Sequence, residues 1–329
     1  GLAMSFLGLL SLRAMGRTRV GLAFSLLLVA CFAAQPPFAS LGTSLFQELP
    51  GIAFLYCLIW AGALRPNAGK WVWMLAAVGM TVRENLWIGL LAWTLLHWRS
   101  ILAERKRWAP VLTLWMIPAL WVGSVFVYLS LAERPPQVGV GWPLMINSSG
   151  APLFSRMSGA AGSVWEALLR TRALVLLAGL AAAAMAVFAG RGGKSAPEPA
   201  GDDVEDALAG FPRFSLLTLA ITYGMVVLFD PWEMTFGNPR QAGPLMEHAY
   251  LWAIILFRWL AQTPVPWRVA ARSALAACLL LAARPDLCPN RKAVDPEVLA
   301  CHAEIRRLAR QHQGERTPKA CISEEYWQG

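Results

Sequence analysis

The feature that most limits what this chain can become is a set of long, unbroken apolar runs. Examples are VGLAFSLLLVACFAA (20–34), ALVLLAGLAAAAMAVFAG (173–190) and FSLLTLAITYGMVVLF (214–229). None shows the one-sided stripe of a soluble helix or the period-two alternation of a strand. A bilayer-crossing helix needs about 20 mostly apolar residues. Only helices and closed barrels satisfy their own backbone groups in lipid, and alternating ten-residue strands are absent. Composition agrees: 57% of the 329 residues are hydrophobic and 15% are charged, against about 25% charged in soluble domains. The expected fold class is all-α, a polytopic transmembrane helical bundle.

About ten apolar segments are expected, at 2–16, 20–36, 44–64, 70–81, 86–98, 110–131, 166–190, 213–229, 245–263 and 268–283. They make a membrane domain over 1–283, interrupted by a cytoplasmic linker at 190–213 and followed by a small outward-facing tail, 284–329. The net charge of +9 fits this arrangement better than a nucleic-acid partner, because no basic patch is interleaved with aromatic residues. Instead the cations fall on every second connection: Arg13, Arg17 and Arg19; Arg65 and Lys70; Arg99, Arg105, Lys106 and Arg107; Arg191, Lys194 and Arg213; Arg268 and Arg272. Lys and Arg accumulate in cytoplasmic loops, so the alternation places the other connections and the tail outside. A bacterial cytoplasmic membrane with an extracytoplasmic tail is expected. Residue 1 is Gly, and Met4 already lies within an apolar run, so the chain is expected to be a fragment that begins inside a helix.

Two polar regions have plain readings. The linker carries Asp202, Asp203, Glu205 and Asp206 without the ligand spacing of a calcium loop, and is expected to be solvated. The tail contains VDPEVLACHAEIRRLARQHQ, with Asp295 as cap and Pro296 at the first helical position, followed by a candidate strand in ACISEEYW. Cys31, Cys57 and Cys278 lie in apolar segments, whereas Cys288, Cys301 and Cys321 lie in the outward tail, where one disulfide among the three is plausible. No Cys/His spacing suggests a metal. No cofactor is implied with certainty, and a divalent cation remains compatible with the acidic candidates.

Ionisable groups at membrane depth cost a few kcal/mol each and mark functional sites by default. The outward-facing set is small: Gln47 and Glu48 at a helix start, Arg83–Glu84–Asn85 at a turn, and Asp230, Glu233, Arg240, Glu247 and His248 around one loop and the start of the next helix. The fourth and fifth segments look too short to span alone, so they are expected to form a broken or re-entrant pair whose turn floors an outward-facing polar cavity. Plainer readings stand beside this one. Arg83 and Glu84 can neutralise each other at the headgroups, Glu48 can stabilise a helix N-terminus, and His248 can be an interfacial anchor.

The run RTRVGLAFSLLLVACFAAQPPFASLGTSLFQELPGIAFLYCLIWAGAL, continued by KWVWMLAAVGMTVRENLWIGLLAWTLLHW, resembles the middle of GT-C-type integral-membrane glycosyltransferases, in their uncharacterised predicted-membrane-protein branch. The similar features are ordered: a basic loop, a helix ending in Pro-Pro, an acidic residue at the next helix start (Glu48), and a turn bearing a basic–acidic pair (Arg83, Glu84). GNPRQAGPLMEHAYLWAIILF resembles the family's later outer loop and helix, through Arg240, His248 and Tyr250. The resemblance implies transfer of a sugar from a polyprenyl-phosphate donor on the outer side of the bilayer. It implies Arg83 and Arg240 as phosphate clamps, and Glu48, Glu84, Glu247, His248 and Tyr250 among the substrate-binding residues. The family's catalytic acid lies in the first outer loop, which is expected upstream of Gly1, so no residue here takes that role. A transporter or flippase of a lipid-linked substrate would use the same cavity without chemistry, although no internal repeat points to one. A non-catalytic scaffold that binds through its tail is the third reading.

Overall fold

The computed structural model describes residues 1–15, 18–35, 48–65, 69–82, 85–104, 108–131, 153–170, 172–190, 208, 210–229 and 243–283. These lie in one compact unit, Gly1–Pro285. The expected tail helix, tail strand and disulfide cysteines, Cys288, Cys301 and Cys321, fall outside the described residues.

Eleven α-helices and no strand occur among the described residues. They are α1 (Leu2–Met15), α2 (Arg19–Ala34), α3 (Glu48–Trp60), α4 (Lys70–Val82), α5 (Asn85–Ala103), α6 (Trp108–Leu131), α7 (Leu153–Arg170), α8 (Ala173–Gly190), α9 (Phe211–Phe229), α10 (Gly243–Trp259) and α11 (Val265–Ala282). A 3-10 turn, Leu260–Gln262, links the last two. Leu86–Ala103 and Val265–Ala282 are long and apolar enough to cross a membrane, 18 residues each.

Local chemistry sets several of these ends. Thr18 caps α2, its hydroxyl accepting from the Gly21 N–H at 3.1 Å, and the sequence continues past Gln35 as Pro36–Pro37, which cannot extend a helix. Pro266 occupies the first turn of α11, where a missing N–H costs nothing. At the turn between α4 and α5, the Trp87 indole donates to the Met80 carbonyl at 3.0 Å, satisfying one of the orphan acceptors at a helix C-terminus.

The packing centres on α10. Every residue from Met246 to Leu251 and from Ala253 to Phe257 is buried, and α10 meets α1, α8 and α9. Phe24 of α2 stacks on Phe257 with ring centroids 3.8 Å apart, and Phe32 meets Tyr250 edge-on at 5.2 Å. On the opposite side of the balance, large apolar residues face outward: Trp71, Leu26, Leu120, Phe188 and Trp267 are exposed. Apolar surface of that extent on a monomer marks a lipid or protein contact.

Three expectations need correction. The fifth segment is not short: α5 runs 19 residues to Ala103, because His97, Trp98, Arg99 and Ser100 are polar without being helix breakers. Hence α4, at 13 residues, is the one short member of the pair. The stretch expected as a single helix at 166–190 is two helices, α7 and α8, divided where Arg172 takes a left-handed φ of 56°. Within the linker expected to be solvated, the described end is packed: Leu208 and Phe211 are buried in the core.

Candidate functional site

Polar groups gather where the beginnings of α3, α5 and α10 meet α9. On α10, Glu247 and His248 are 5% and 3% exposed, and Tyr250 is fully buried. A buried polar group without a partner costs several kcal/mol in an apolar medium, and the side chains of His248 and Tyr250 and the main chain of Glu247 each have one. The Tyr56 hydroxyl, from the middle of α3, donates to the Glu247 main-chain carbonyl at 3.0 Å. The Tyr250 hydroxyl donates to Gln35 Oε1 at 3.1 Å, tying α10 to the end of α2.

His248 is held by α9. Its Nδ1 lies 2.8 Å from Ser215 Oγ, and the Trp252 indole donates to the same oxygen at 3.0 Å. An indole N–H can only donate, so Ser215 accepts from Trp252, and its own proton is free to reach Nδ1. With the ring proton on Nε2, Ser215 donates to Nδ1; with the proton on Nδ1, Ser215 accepts through its second lone pair. The imidazole also lies near-parallel to Phe211 and Phe214, at centroid distances of 5.6 and 6.2 Å. The ring is therefore fixed in both position and tilt.

Two cavities adjoin this cluster. The polar one, about 30 Å³, is walled by Thr218, Thr222, Glu247 and His248, with Gly51 from the first turn of α3 and Pro244 from the first turn of α10. The first N–H groups of a helix have no partner within it and carry its positive pole, so two such ends converge on this chamber. The apolar one, about 80 Å³, lies among α3, α4, α5 and α6, with Leu58, Val72, Met80 and Leu114 in its walls. Leu55, Leu86, Gly89 and Phe214 line both. The two spaces thus share an apolar wall, and the smaller one adds to it the polar groups of Thr218, Thr222, Glu247 and His248.

Of the residues expected from sequence, the structure brings Glu247 and His248 together at the polar chamber and places Tyr250 one turn deeper in the same core. Glu48 opens α3, but its side chain lies outside the described residues, as do Arg83, Glu84 and Arg240 entirely. Sequence reasoning missed Tyr56, Gln35, Ser215, Thr218, Thr222 and Trp252. One signal was available: Ser215, Thr218 and Thr222 recur at three- and four-residue spacing within FSLLTLAIT, a polar stripe on an otherwise apolar helix. Among the described residues, no three His, Cys, Asp or Glu side chains group as a metal site. Comparison with protein-family models, with curated proteins and with solved structures gave no match.

Proposed function

We propose that the chain is a polytopic, GT-C-like membrane protein of a bacterial inner membrane. In this reading about ten segments lie in the bilayer, the starts of α3, α5 and α10 face the outer side, and the tail is extracytoplasmic. The protein handles a polyprenyl-phosphate-linked sugar at the two adjoining chambers. The single observation that carries the reading is the wall shared by the apolar and polar spaces at Leu55, Leu86, Gly89 and Phe214. An isoprenoid chain has the chemistry of the first space. A phosphate has partners in the second, where two helix N-termini meet and the Thr218 hydroxyl has no partner of its own.

Transfer from such a donor is a displacement at the anomeric carbon. The acceptor oxygen forms the new bond, its proton passes to a carboxylate, and the phosphate leaves with the bonding pair. In this reading Arg83 and Arg240 clamp the phosphate, while Glu247 and His248 orient the acceptor side. Glu48 and Glu84 position the acceptor, a cation or the arginines.

The test is native mass spectrometry of the purified chain in nanodiscs, titrated with undecaprenyl phosphate and with the corresponding alcohol. Saturable adducts of the phosphate, weakened in T218V and weaker for the alcohol, support the reading. Equal binding of both lipids by wild type and variant would sink it. Flipping of a labelled lipid without sugar transfer would move the assignment to a flippase.

A further inference from the structure

We propose that α7 is an in-plane helix seated at the lipid–water boundary, its apolar face docked into the outer part of the acyl region. Residues 154, 157, 161, 164, 165 and 168 recur every three or four positions and lie on one side of the helix. They are Phe, Met, Ala, Val, Trp and Leu, whereas the sequence spacing puts Ser155, Arg156, Ser163, Glu166 and Arg170 at the opposite helix positions. An isolated face of this kind, with low overall hydrophobicity and a Trp, is the pattern of an interfacial helix. It differs from α8, apolar all round over ALVLLAGLAAAAMAVFAG.

Packing covers only one end of that apolar face. Leu168 is buried and Val164 is partly buried against the core, where α7 meets α8 and α9. Towards the N-terminus Phe154 is 82% exposed and Met157 50%, and even at the packed end Trp165, between Val164 and Leu168 in sequence, is 57% exposed. In water such a face costs about 25 cal/mol for each Å² it leaves uncovered.

The corner after α7 sets its level. Arg172, in the turn to α8, donates from Nη1 to the carbonyl of Leu281 at 3.3 Å. Leu281 is the penultimate residue of α11, and α11 is one of the two helices with the length and hydropathy to cross a bilayer. A guanidinium at the C-terminal end of a spanning helix belongs at the membrane surface, where it meets both the helix dipole and water. The residues just before it, α7, are therefore held at the same edge. Trp165 then has the position that indoles favour, at headgroup level. The occupant of the exposed face is the bilayer that α11 crosses.

The experiment uses the full chain in liposomes, with its native cysteines replaced and a spin label at one position at a time: 154, 157 or 165 on the apolar side, 159 on the other. Gly159 has open space around an added Cβ. Collision with oxygen and with a water-soluble nickel chelate reports depth. The inference expects one shallow depth for 154, 157 and 165, and an aqueous signal at 159. Depth increasing steadily from 154 to 165 would show a spanning helix. Aqueous signals at all four positions would show that the face lies in water, and labels at 154, 157 and 165 shielded from both oxygen and chelate would show that another part of the chain covers it. Each of these results overturns the proposal. Unmodified protein gives an independent reading through photoactivatable lipids. Adducts on α7 are expected from a probe near the headgroup; adducts only from a probe at the chain terminus would overturn it.

Discussion

Gly179 and Cys278 face each other across the α8–α11 contact so closely that a Cβ on Gly179 would lie 2.5 Å from the Cβ of Cys278. Real atoms do not approach so near, so the two helices can keep this separation only with glycine at 179. Small residues play this part at membrane helix contacts, where lipid offers no hydrophobic push and close backbone approach supplies the packing.

The variant Gly179→Ala is expected to lose about 1–3 kcal/mol through overpacking, read as a lower thermal midpoint in detergent. The clash is between the two Cβ atoms. Cys278→Ala should therefore fail to rescue Gly179→Ala, whereas Cys278→Gly should restore most of the loss. Rescue by both would place the conflict at the sulfur instead.

Tyr56 and Glu247 are 191 positions apart and joined by one hydrogen bond. Tyr56→Phe keeps the ring in its slot and removes only the hydroxyl. The cost should be about 1 kcal/mol, with the fold intact by circular dichroism. Tyr56→Ala empties a fully buried site and should cost about 3–5 kcal/mol, as for other large aromatic truncations. Similar losses for the two variants would mean that the hydroxyl, not the ring, holds α3 to α10.

The helical class was legible because apolar runs bounded by Gly, Pro and cation clusters leave few alternatives, and α2, α4 and α9 fall within two residues of expectation. The position of α7 was not legible from hydropathy. LFSRMSGAAGSVWEALLR is too polar on average to stand out, and only its three-to-four spacing marks it as a helix. The end of α5 was not legible for the opposite reason: the apolar segment stops at 98, whereas the helix runs on to Ala103, because polar residues continue a helix readily. At the site, Glu247, His248 and Tyr250 stood out as ionisable or phenolic groups in an apolar stretch. Their partners did not, because Tyr56 and Ser215 come from segments far away in sequence and only the tertiary fold brings them near.

Gly89 stands in the wall common to the two chambers, and a Cβ there would meet Phe214 Cζ at an ordinary 3.6 Å. Gly89→Ala should therefore be accommodated, with a small gain from helix propensity, up to about 1 kcal/mol. Gly89→Leu projects three further carbons into the shared space. It should reduce binding of a lipid phosphate at least tenfold while leaving the thermal midpoint near that of Gly89→Ala. Unchanged binding in Gly89→Leu would show that a ligand does not occupy both chambers at once.

Arg172 combines a cost and a benefit that two substitutions separate. Its φ of 56° is a left-handed conformation that costs a side-chain-bearing residue about 1 kcal/mol, while its guanidinium reaches the Leu281 carbonyl near the end of α11. Arg172→Ala keeps the backbone strain and loses the hydrogen bond, so it should be the more destabilised variant. Arg172→Gly loses the same bond but relieves the strain, although greater freedom in the unfolded chain offsets part of that gain. The thermal midpoints should fall in the order wild type, Arg172→Gly, Arg172→Ala. If Arg172→Gly were the most stable of the three, the backbone strain would outweigh the anchor, and the contact with α11 would be incidental to the corner between α7 and α8.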